Sequence, residues 1–147
     1  MSGLRWSFGE IVNSVRRVLE NRNIEHLTKQ AYEFIILYMG FIAHYNRQGF
    51  QDSYTDLRDF VERLQTSEYS NDPDHNLKWA DELERRERDG DTGDQGKDKA
   101  DIIREIVKLV RQYQNDINAE FAELQRQTEL KEAHRLAGKY GFKVVPQ

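Results

Sequence analysis

The sequence predicts an all-α fold: a helical bundle of four or five helices with a long C-terminal helix, kinked or coiled-coil forming. Three observations carry this. Only two prolines, Pro73 and Pro146, occur in 147 residues, and a chain low in Pro and rich in Glu, Lys, Arg, Gln and Leu favours helix. Apolar residues recur at helical spacing through most of the chain. No run alternates long enough to build a sheet.

Ser7-Phe8-Gly9-Glu10 has the form of a capping box, with Ser at the N-cap and Glu three residues later. Ile11, Val12, Val15, Val18 and Leu19 then form a helical stripe, ending near Arg22-Asn23. Ala31 to Tyr45 reads as the central helix. Only Glu33 and His44 place ionisable groups in it, and it is apolar on nearly all sides, as a covered helix is. It is too short to cross a membrane, which takes about 20 apolar residues. Its start lies between Ile24 and Thr28 and its end near Asn46. Gly49 suits a left-handed C′ position there, and Phe50 the contact that follows it.

A third helix, introduced by Asp52 or Ser53, carries Tyr54, Leu57, Phe60, Val61 and Leu64 on one face. Residues 66–72 form a polar connection. Asp72-Pro73 opens a fourth helix to about Arg88, since Pro is tolerated at the first helical position. Its apolar face is thin: Leu77, Trp79, Ala80 and Leu83. Residues 89–98, rich in Asp and Gly, read as a mobile loop. From Lys99 a helical pattern persists to about Tyr140. Ile103, Ile106, Val110, Tyr113 and Ile117 keep heptad spacing. The steps to Phe121 and Leu124 insert a stutter, and Leu130, Ala133, Leu136 and Ala137 resume the stripe. About 40 residues would make a rod near 60 Å, longer than a domain of this size. It bends or breaks near Gln125 to Thr128, or it pairs with another chain. Gly141 ends it, and Phe142 to Pro146 is a short apolar tail.

The length suits a single domain spanning residues 1–147. The chain has no Cys, which excludes disulfides, thiolate metal sites and Cys nucleophiles. With an N-terminus that lacks the apolar stretch of a signal peptide, this predicts a cytoplasmic protein. The net charge of −4 hides a pattern. Residues 1–50 hold six Lys/Arg against four Asp/Glu, residues 51–101 eight against sixteen, and residues 102–147 eight against six. An acidic middle between mildly basic ends bears on partners and not on fold.

Five patterns invite chemistry, each beside a plainer reading. The loop from Asp89 invites Ca²⁺, but counting from Asp89 or from Asp91 places Ala100 or Ile102 where an EF-hand needs its bidentate Glu. Arg22-Asn23-Ile24-Glu25-His26 resembles the Arg-polar-x-x-x-His motif of HEPN-type all-α ribonucleases, with three intervening residues where that family has at least four. The resemblance covers five residues and implies an Arg and a His acting on a scissile phosphate. Glu84/Glu87, Asp98/Asp101 and Glu120/Glu123 have the spacing by which all-α nucleotide pyrophosphohydrolases, which they resemble in this respect, hold Mg²⁺. Among 26 acids such pairs also arise by chance. Glu33 and His44 share a face but lie about 16 Å apart, too far to act on one atom. Arg16/Arg17/Arg22 and Lys131/Arg135/Lys139/Lys143 are thin basic rows for a nucleic-acid binder, in a chain of pI about 5.6.

The favoured expectation is a non-enzymatic interaction or assembly module needing no cofactor or metal. It binds a protein partner or itself through Tyr113, Ile117, Phe121, Leu124, Leu130, Leu136 and Phe142, with the acidic middle as a docking face. A metal-dependent nucleotide hydrolase or ribonuclease is the alternative, a weak nucleic-acid binder the third reading. A membrane partner is not expected.

Overall fold

A computed structural model describes residues 6–39, 57–67, 70–90 and 96–141. These hold five α-helices: α1 (Phe8–Asn21), α2 (Lys29–Tyr38), α3 (Leu57–Thr66), α4 (His75–Arg88) and α5 (Gly96–Tyr140). A 3-10 turn, Ile24–His26, joins α1 to α2, and no strand occurs among the described residues. The all-α bundle with a long C-terminal helix is the architecture. The chain divides into two compact units, Met1–Gln114 and Asn115–Gln147.

In the first unit, α1 begins as its capping box dictates: the Ser7 hydroxyl oxygen accepts from the Glu10 amide at 3.3 Å. Arg22 closes the helix in the left-handed region at φ 52°, its amide donating to the Val18 carbonyl. Thr28 caps α2 in the same way, accepting from the Ala31 amide at 3.3 Å. Ile11, Val15, Val18 and Leu19 of α1 and Ala31, Phe34 and Ile35 of α2 are fully buried. Ser14 sits among the apolar positions of α1 and joins the two helices. Its Oγ accepts from the Thr28 amide at 2.7 Å and donates to the His26 carbonyl at 3.2 Å. Trp6 closes the aromatic end, edge-on to Phe34 at 5.6 Å and to Tyr38 at 5.7 Å.

The predicted central helix is covered less evenly than its composition suggests, since Leu37 is half exposed. Its predicted end at Asn46 to Phe50, the start of the third helix at Asp52 or Ser53, His44 and Tyr54 lie outside the described residues. Phe60 and Leu64 of α3 and Ala80 and Leu83 of α4 add to the core.

Pro73 does not begin α4; the helix starts two residues later. The Asp72 carboxylate takes the Asp74 amide at 2.9 Å, the Asp72 carbonyl takes the His75 amide, and the resulting turn precedes the helix. Asn76, one residue into α4, is buried and donates from Nδ2 to the Leu64 carbonyl at 2.8 Å and the Met39 carbonyl at 3.3 Å.

The last helix begins at Gly96, three residues before the predicted start. Gly96 is buried against the backbone of α4, and a Cβ there would run into the Leu83 carbonyl. Residues 91–95 lie outside the described residues. The first half of α5 is buried on most sides through Ala100, Ile102, Ile103, Ile106, Val107, Leu109 and Val110. The helix carries no break at Gln125 to Thr128. Gly141 follows it at φ 76°, the left-handed conformation that suits Gly after a helix.

The second unit, taken by itself, is the remainder of this helix among the described residues. Only Ile117 and Ala137 are buried there. Among the described residues no helix is long and apolar enough to cross a membrane.

Candidate functional site

In the first unit the ionisable side chains are largely spent on one another. Arg104 of α5 donates to Glu84 at 2.6 Å, to Asp81 at 2.8 Å and to Asp101 at 3.3 Å, and Glu84, then Asp81, hold its guanidinium firmly charged. Arg111 reaches Asp74 at 2.8 Å and Gln65 at 3.1 Å. On α4, Glu82 accepts from Arg85 at 2.6 Å and Arg86 at 3.2 Å. The Arg85 guanidinium, then Arg86, holds its carboxyl at about 2. Asp72 pairs with Lys78 at 2.5 Å, a hydrogen bond that lowers its pKa below the usual carboxylate range.

These pairings decide what the acidic motifs can do. In Glu84/Glu87 the first carboxylate is held by Arg104, while Glu87 accepts from the Lys97 amide at 3.4 Å. In Asp98/Asp101 the second is shared by Lys97 at 2.9 Å and Arg104. Among the described residues no three His, Asp or Glu side chains converge as metal ligands would. Of Asp89, Asp91 and Asp94, only Asp89 is described, and Arg85 pairs with it at 2.7 Å.

Arg22 and His26 do not share a helix. Arg22 caps α1, donates to the Leu19 carbonyl and lies 5.6 Å over the Tyr113 ring. His26 ends the 3-10 turn with its ring exposed. Glu33 is half-buried on α2 beside Tyr32, whose hydroxyl is pushed up first by burial and then by the Glu33 charge.

Two open recesses are lined by described residues of this unit. One of about 510 Å³ is lined by Trp6, Phe8, Gln30, Asp98 and Asp101. The other, about 390 Å³, runs along Leu77, Arg104, Val107, Lys108 and Arg111. Asp101, Arg104 and Arg111 already make the pairs just given, so neither recess gathers uncommitted charge of one sign.

The second unit is different. Among its described residues Leu124, Leu136 and Tyr140 expose 58%, 39% and 61% of their surface. At 100° per residue, Ile117, Phe121 and Leu124 fall within about 60° of one another. The six-residue step from Leu124 to Leu130 turns the pattern, so Leu130, Ala133, Ala137 and Tyr140 lie on the opposite side, with Leu136 on its flank. The predicted stripe is therefore two half-stripes on opposite sides of one helix. Ile117 is buried and Phe121 and Leu130 are half-buried. Phe142 lies outside the described residues, and Tyr113, in the first unit, stacks under Arg22.

Ion pairs within this half-helix are local: Glu123–Arg126 at 2.7 Å and Glu132–Arg135 at 2.5 Å. The nearer Arg holds each carboxyl below its ordinary value. Exposed pairs of this kind contribute roughly 0–1 kcal/mol.

The residues that sequence reasoning passed over are Ser14, Asn76, Gly96 and Arg104. Ser14 carried a readable signal, a hydroxyl at i+3 from Ile11 within an apolar stripe. No protein-family model, curated protein or solved structure matches the chain.

Proposed function

We propose that the chain is a non-enzymatic helical interaction or assembly module of the cytoplasm, with the second half of α5 as its recognition element. The exposure of that half carries the reading: over Asn115–Tyr140 the helix holds two buried residues among those described and presents Leu124, Leu136 and Tyr140 to solvent. A helix in water draws most of its stability from tertiary packing of an apolar face, and large exposed side chains on such an element suit a partner. Coiled-coil pairing is one form this takes. The acidic middle is the lesser contributor, because Asp72, Asp74, Asp81, Glu82, Glu84, Asp89 and Asp101 already face Arg or Lys partners within the chain.

The test compares the full chain with a chain ending at Gln125 and with Leu124→Glu/Leu136→Glu. Far-ultraviolet circular dichroism checks that each still folds. Binding of a captured protein partner, and self-association by sedimentation, are then measured. Loss of both in the folded variants supports the module; undiminished binding and association in both variants refutes it.

A further inference from the structure

We draw no further inference here: the strongest candidate, the open recess of about 510 Å³ at the starts of α1 and α5 lined by Trp6, Phe8, Asp98 and Asp101, carries nothing because Lys97 and Arg104 already hold Asp101, Asp98 is an exposed acid in the first turn of α5 where the helix itself favours one, and nothing in the structure shows what would occupy the recess.

Discussion

The side-chain amide of Asn76 donates to the Leu64 carbonyl at 2.8 Å and, with its other hydrogen, to the Met39 carbonyl at 3.3 Å. One buried amide at the start of α4 thereby satisfies carbonyls at the ends of α3 and α2. Those carbonyls are among the last in their helices and have no intrahelical donor. Replacing Asn76 by Leu leaves two acceptors facing an apolar group, at a cost of about 1–3 kcal/mol. Urea unfolding followed by circular dichroism measures it. A loss within error would show that water or the neighbouring backbone replaces the amide.

Two glycines of α5 are expected to respond in opposite directions to alanine. Gly96 sits against the Leu83 carbonyl, so Gly96→Ala forces α4 and α5 apart and destabilises by about 1–3 kcal/mol. Gly138 has open space at its Cβ position and lies within the helix. There Ala removes backbone entropy from the unfolded chain and stabilises by up to about 1 kcal/mol. Thermal melting of the two variants beside the wild type reads both signs.

Glu82 gives a pH dependence with a definite sign. Its folded-state carboxyl lies at about 2 against an ordinary 4.5, chiefly through the Arg85 hydrogen bonds. A depressed carboxyl contributes stability above its unfolded value and loses it as pH falls through the folded one. Stability should therefore decline between about pH 4.5 and pH 2. Glu82→Gln should show a shallower decline over that window and lower stability at neutral pH. The group is exposed, so the effect is small and shrinks in high salt. Equal slopes for the two proteins in low salt would contradict the pairing.

Much of the fold is legible in the sequence because its signals are local. Ser7 and Thr28 cap their helices through side chains three residues from the amides they accept from. The apolar spacing of Ile11, Val15 and Val18 needs only the helical period. What escapes is non-local. Asn76 reads as an ordinary polar residue on a thin helix until Met39 and Leu64 are brought beside it. Gly96 reads as part of a flexible Asp-Gly loop until Leu83 crowds it. Glu84 looks like half of a metal-binding pair until Arg104, twenty residues on, takes its carboxylate. In the candidate surface, the exposure of Leu124 and Leu136 could not be read from composition, because apolar spacing is the same for a buried stripe and an open one. The turn of the stripe between Leu124 and Leu130 was readable, since a six-residue step cannot keep one face of a 3.6-residue helix.

Amide hydrogen exchange over residues 117–140 tests the role of the second half of α5 most directly. In the dilute full-length chain these amides should exchange faster than those of 100–110, whose side chains are largely buried. Raising the protein concentration, or adding a captured partner, should slow exchange across 117–140 and leave 100–110 unchanged, and Leu124→Glu should abolish the slowing. Exchange in 117–140 that responds to neither would contradict an interaction surface on this helix.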